Sequence, residues 1–244
     1  MKVIGYSERG ALNSLLYEIS YSESAERLVG ELLTLVHFPF LSCGVVGITE
    51  ATILVEQSLS DFGDADAVML LCSSDGPMAV FIEAKVKPSQ KAAWHIEEEY
   101  QQFVDGTATT VSSSNLFTQL YHKVSFVSGL RRGGITELER GLRFPPSSTL
   151  RQRKIGYNAV VHRATEQIRM FLKQVRYVAL VPDEPDRVAE FFATRLAMSA
   201  PPGYDEWSTR DYGFICWCEI ESFCRTQGLL NTIQVLEFNT GQIY

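Results

Sequence analysis

The sequence has no uncharged apolar run near the length that a bilayer-spanning helix needs. Its opening, MKVIGYSERG, reaches charge and glycine too soon to hold the apolar stretch of a secretory signal. These two absences lead to the expectation of a soluble, cytoplasmic protein with no membrane partner. There is no GxxxxGK[ST] phosphate loop, so nucleotide hydrolysis is not the expected engine. Histidine is scarce: His37, His95, His122 and His162 are scattered and form no HExxH pattern. The five cysteines (Cys43, Cys72, Cys216, Cys218 and Cys224) are odd in number and irregularly spaced, which argues against a disulfide framework. Only Cys224 follows the Cys216 and Cys218 pair, too few ligands for a zinc site. Reduced thiols are the expectation.

What is present is ordinary globular material. The chain has 244 residues, 45% apolar and 21% charged, enough for a core without a metal or disulfide staple. It reads as a single domain, with a core over about residues 7–181 and a C-terminal elaboration. The formal net charge is -7, but it is unevenly spread. Between Lys123 and Arg176 stand twelve Lys or Arg against three Glu, while the rest carries ten basic and twenty-six acidic residues. Such segregation can give an acidic protein a positive face that attracts phosphate. A basic but merely solvated loop and helix pair accounts for it equally well.

Helical spacing of Leu12, Leu15, Leu16 and Ile19 predicts a helix over 7–20. A second follows, with Ser22 or Ser24 as cap and Pro39 as stop. Three strand-like runs come next, at 45–55, 67–72 and 78–86, the last two joined by Ser73-Ser-Asp-Gly-Pro77, strong turn chemistry for a hairpin. Further helices are predicted over 91–104, 116–130 and 157–172, and Arg131 to Lys154 reads as a loop with a short helical insert. A short strand at 175–181, a helix beginning near Pro185, a strand over 212–218 and a mostly helical end complete the pattern. The mixture predicts an α/β fold, a three-layer mixed β-sheet flanked by helices. Trp94, Trp207 and Trp217 read as packing residues rather than base-stacking platforms.

The chemistry lies in one hairpin. Asp66 opens its first arm, and Glu83 and Lys85 lie in the second, within Met78-Ala-Val-Phe-Ile-Glu-Ala-Lys-Val-Lys87. Residues two apart on a strand project to one face, so Glu83 and Lys85 point together, and pairing can set Asp66 beside them. Two adjacent carboxylates repel unless a cation lies between them, and oxygen ligands suit Mg²⁺ or Mn²⁺. A lysine beside them can orient a water while the metal polarises a phosphate. A cross-strand ion pair on a solvated sheet face is the plainer reading of the same residues, worth about 0–1 kcal/mol.

This stretch resembles the PD-(D/E)XK, restriction-endonuclease-like, nuclease superfamily, and the opening Glu8-Arg-Gly-Ala-Leu-Asn-Ser-Leu-Leu-Tyr-Glu-Ile19 resembles the start of uncharacterised bacterial proteins of this type. Asp66, Glu83 and Lys85 match the family motif, with Ala65 in place of the usual proline. The resemblance covers roughly the first half of the chain. It implies a restriction-endonuclease-like core, Mg²⁺ or Mn²⁺ held by Asp66 and Glu83, and cleavage of DNA in repair, recombination or defence. It also implies a glutamate from a helix before the sheet, for which Glu18 and Glu26 are candidates, and a glutamine or tyrosine from a later helix, for which Gln119 and Tyr121 are candidates. The basic segment then supplies Lys123, Arg131, Arg132, Arg151, Arg153 and Lys154 to the nucleic acid. A non-catalytic adaptor that binds nucleic acid or protein on the same fold is the alternative, and a homodimer is left open.

Overall fold

The apolar stripe of the first helix, α1 (Ser7–Ser20), buries Ala11, Leu12, Leu15, Leu16 and Ile19, and α2 (Ala25–Thr34) buries Leu28, Val29, Leu32 and Leu33. Each such aliphatic side chain contributes about 1.5–3 kcal/mol when fully buried, which is what fastens these helices to a sheet. That sheet has five strands: β1 (Ile48–Ser58), β2 (Asp64–Ser73), β3 (Gly76–Ala84), β4 (Gln174–Val181) and β5 (Tyr212–Cys216). They lie side by side in chain order, β1 to β3 antiparallel and β3 to β5 parallel. The computed structural model describes residues 7–41, 47–87, 93–105, 114–143, 152–196 and 209–243.

The remaining helices are α3 (Ile96–Asp105), α4 (Leu116–Arg140), α5 (Ala159–Arg169), α6 (Pro185–Thr194), α7 (Trp217–Gln227) and α8 (Leu230–Phe238). Alternation along the central strands sorts them into two layers. Ala67, Met69 and Leu71 of β2 and Val80 and Ile82 of β3 pack with α1, α2, α7 and α8. Val68, Leu70, Ala79 and Phe81 pack with α3, α4, α5 and α6 on the other face. The expected α/β fold, a mixed sheet between two helical layers, is therefore present. Among the described residues no helix is long and apolar enough to cross a membrane.

The hairpin closes as its turn residues demand. Ser73 pairs with Gly76, Ser73 Oγ donates to the Gly76 carbonyl at 3.1 Å, and Gly76 adopts φ 104°. That φ disfavours any side chain, and a Cβ would also stand 2.7 Å from Lys173 Nζ, which would have to shift.

Two expectations about the later elements are corrected. Arg131 and Arg132 are not in a loop: α4 continues through them to Arg140, with a kink at Gly134 (φ 65°, ψ -157°). The Arg-Arg-Gly-Gly sequence marks a bend rather than an end, because Leu138 beyond it still reaches the core. The strand expected over 212–218 stops at Cys216, where the Glu219 side chain accepts from the Cys216 N–H at 2.9 Å and starts α7.

Glu18 has a structural task. Its carboxylate accepts from the N–H groups of Asn231 (3.0 Å) and Thr232 (2.7 Å) and from both their side chains, capping α8 from outside the helix. The capping position itself, Leu229, offers no side-chain acceptor. Glu18→Ala is expected to cost about 1–2 kcal/mol and to lower Tm by about 2–8 °C, with Mn²⁺ affinity unchanged. Calorimetry with a parallel Mn²⁺ titration checks both, and a loss of metal affinity would return Glu18 to the metal site.

Candidate metal centre

Where β2 enters the sheet, its ladder with β3 begins at Ala67 opposite Ile82 and Val68 opposite Phe81. One step further, the same register sets Asp66 opposite Glu83, on the face that carries Val68 and Phe81. The backbone does not simply continue there. Asp66 Oδ2 accepts from the Ala84 N–H at 2.8 Å, so a carboxylate takes up the strand's amide where the two strands end their pairing.

Lys85 follows directly after β3 and is fixed at three points. Its N–H donates to the Leu180 carbonyl and its carbonyl accepts from Trp217 Nε1, both at 2.8 Å. Its ammonium donates to Gln119 Oε1 on α4. Of the two later-helix candidates, Gln119 therefore meets the triad, whereas Tyr121 is 2% exposed and packs near Phe103.

Neither carboxylate is comfortable. Asp66 is 9% exposed and Glu83 fully buried. Burial raises the pKa of Asp66, the nearby Glu8 charge adds to this, and the Ala84 N–H, Lys85 and Arg9 oppose it. Burial likewise raises Glu83, Lys123 opposes it, and the charge of Asp66 pushes it up again. Glu83 therefore feels the charge of Asp66. Neither Glu83 oxygen receives a hydrogen bond among the described residues.

Lys123 overturns its assignment to the nucleic-acid face. It lies on the inner side of α4, fully buried, with Nζ 2.8 Å from Glu83 Oε1. The ammonium also donates to the carbonyls of Phe62 (3.3 Å) and Asp64 (2.9 Å), and its charge opposes the rise of the Glu83 pKa. Gly63 makes room for it: a Cβ there would stand 3.3 Å from Nζ, and its φ of 80° suits glycine.

The helix carboxylate near Asp66 is Glu8, not Glu18 or Glu26. Glu8 acts on Asp66 electrostatically, while Glu18 is spent on α8 and Glu26 is exposed on α2 beside a groove lined by Tyr17 and Val29. Arg9 joins the cluster, 3.7 Å from Asp66 Oδ1 and 3.6 Å from Glu56 Oε2. Glu56 sits on β1 at φ 47°, and Asn13 donates to it at 2.5 Å. Sequence reasoning missed Arg9 and Glu56, whose only signal was the Glu8-Arg9 pair opening α1.

The other basic residues are divided. Arg131 is exposed and donates to the Leu172 carbonyl, and Arg132 is exposed on the same helix. Arg153 donates to the Asp61 carbonyl at 2.6 Å, so its guanidinium helps to hold the turn before β2. Lys154 has an exposed side chain, and its N–H donates to Asp61 Oδ2. Arg151 and Trp207 lie outside the described residues, as does Cys43. Cys72, Cys216, Cys218 and Cys224 are free thiols, with burial pushing Cys224 up to about 12.

Among the described residues no group of three or more His, Cys, Asp or Glu side chains gathers to hold a metal ion. Asp66 and Glu83 nevertheless fit a hard cation, because Mg²⁺ commonly takes one or two carboxylates and completes its shell with water and phosphate. Glu83 Oε2, buried without a donor, is the atom that fits it. A groove of about 540 Å³ between α2 and α7, lined by Glu31, Cys218 and Phe223 among others, contains none of these residues. Comparison with family models, curated proteins and solved structures finds no match to this chain.

Proposed function

We propose that the protein is a Mg²⁺-dependent phosphodiesterase acting on DNA, built on a PD-(D/E)XK-like core, with Mn²⁺ able to replace Mg²⁺. The reading is carried by the pair Asp66 and Glu83, set across β2 and β3 in a nearly dry environment with Lys85 next along the same face. Holding two carboxylates whose pKa values are both raised by burial, with Asp66 raising Glu83 further, costs stability unless a cation relieves them. A divalent ion, when bound, supplies charge that polarises a phosphodiester and favours ionisation of water.

The chain's own residues divide the remaining work. Asp66 and Glu83 would hold the ion. Lys85, aimed by Gln119 and by its two backbone contacts, orients the attacking water and stabilises charge that grows on the phosphate. Exposed Arg131, Arg132 and Lys154 remain as contacts for the phosphate backbone.

One observation favours a second reading, a nuclease-like adaptor without catalysis. Lys123 and Arg9 already set positive charge against Glu83 and Asp66, so the cluster can stand without a metal. Incubation with duplex and single-stranded DNA in Mg²⁺, Mn²⁺ or Ca²⁺ separates the two. Cleavage is expected in Mg²⁺ and Mn²⁺, with binding but no cleavage in Ca²⁺. DNA binding without cleavage in every metal establishes the adaptor instead.

A further inference from the structure

Lys123 is a buried cation that the motif does not require. Its ammonium is surrounded on the inner side of the sheet by the Phe62 and Asp64 carbonyls and by Glu83 Oε1, and neither its side chain nor that of Glu83 reaches solvent. Two of its protons go to those carbonyls, and its charge faces Glu83 Oε1 at 2.8 Å. A surface lysine would instead keep its head in water. The turn Ser60–Phe62 and the left-handed Gly63 place those two carbonyls, so the arrangement is assembled from three separate segments.

Of the two Glu83 oxygens, Oε1 lies 2.8 Å from Lys123 Nζ. Oε2 is buried with no hydrogen-bond donor among the described residues. Asp66, which stands opposite in register, has one oxygen on the Ala84 amide and the other 3.7 Å from Arg9 Nε. A carboxylate pair of this kind can bind one ion between its members or two ions, one along each flank. Lys123 already fills the inner flank of Glu83.

Resting on the metal-dependent reading above, we propose that Lys123 is the built-in cation of this carboxylate pair, so that the site takes one divalent ion and excludes a second. It is a positioning residue: it turns Glu83 so that Oε2 is presented toward Asp66, and it offsets one negative charge with a cation that cannot dissociate. Asp66 and Glu83 would then hold the single divalent ion.

The test is Mn²⁺ binding to the full chain, read as stoichiometry and affinity by electron paramagnetic resonance and calorimetry, with and without an uncleavable phosphorothioate oligonucleotide. The wild-type chain is expected to bind one Mn²⁺, lost in Asp66→Asn. Lys123→Gln, which keeps an N–H donor for the turn carbonyls but no charge, is expected to bind a second Mn²⁺ or to bind the first at least tenfold more tightly. One Mn²⁺ in the wild type with unchanged stoichiometry and affinity in Lys123→Gln overturns the role of Lys123 and leaves the metal-dependent reading standing. Two Mn²⁺ in the wild type also overturn the inference alone. No Mn²⁺ in the wild type, with or without oligonucleotide, overturns both. Should Lys123→Gln fail to fold, the wild-type stoichiometry decides the exclusion of a second ion without it.

Discussion

Asp66→Asn is expected to reduce Mg²⁺-dependent DNA cleavage roughly a thousandfold, while the protein stays folded. The side chain keeps its size and can still accept from the Ala84 N–H through its remaining oxygen, so the start of β2 is preserved. What disappears is one of two anionic ligands, and metal-borne charge stabilisation is worth several kcal/mol, or roughly three orders of magnitude in rate. Lys85→Met should cost about 10²–10⁴-fold, the usual range for a group that handles a proton or aligns water. The two losses should differ in kind. Asp66→Asn should lower Mn²⁺ affinity, whereas Lys85→Met should leave it intact or raise it, because the Lys85 charge opposes that of Asp66. Cleavage rates measured beside Mn²⁺ titrations check this, and full activity in Lys85→Met would remove the lysine from the mechanism.

The second large effect is on stability. Lys123→Met should destabilise the fold by about 3–5 kcal/mol, since it leaves Glu83 buried without the cation in contact with it. For a chain of this size that corresponds to a fall in Tm of about 6–20 °C. Adding Glu83→Gln to Lys123→Met should recover most of the loss, because removing both charges of a buried pair is far less costly than removing one. Denaturant unfolding of the two single variants and the double variant closes the cycle. If the two losses simply add, the contact carries no coupling and Lys123 serves only to hold the Phe62 and Asp64 carbonyls.

How much of this could be read in advance varies from residue to residue. The β2–β3 hairpin was legible because its signals are local. Ser73 to Pro77 demands a tight turn, and period-two alternation sends Glu83 and Lys85 to one face. Given the turn, the register follows, and with it the meeting of Asp66 and Glu83. The extent of α1 was legible for the same reason, its apolar spacing matching one buried stripe.

The choice of helix glutamate was not legible. Glu8 and Glu18 lie ten residues apart on α1, about 15 Å along its axis, and no local rule says which end faces the sheet opening. Docking of α8 against α1 decided it, by placing the bare N-terminus of α8 over Glu18. The reading of Lys123 failed for a related reason. Its place in a basic stretch made a surface role the natural expectation, yet α4 crosses the sheet with Lys123 on its inner side, directly over Glu83. Charge counted along the chain reports composition, and only packing decides which of those charges face water. From its own order of residues this protein has its strands, its hairpin and the triad Asp66, Glu83 and Lys85, because turn chemistry and side-chain alternation act over a few residues. Its counter-ions, Lys123 and Arg9, and the like-charged neighbour Glu8 were set by how helices far apart in the chain come to rest on that sheet, since a buried charge takes its partner from whatever packing brings within reach.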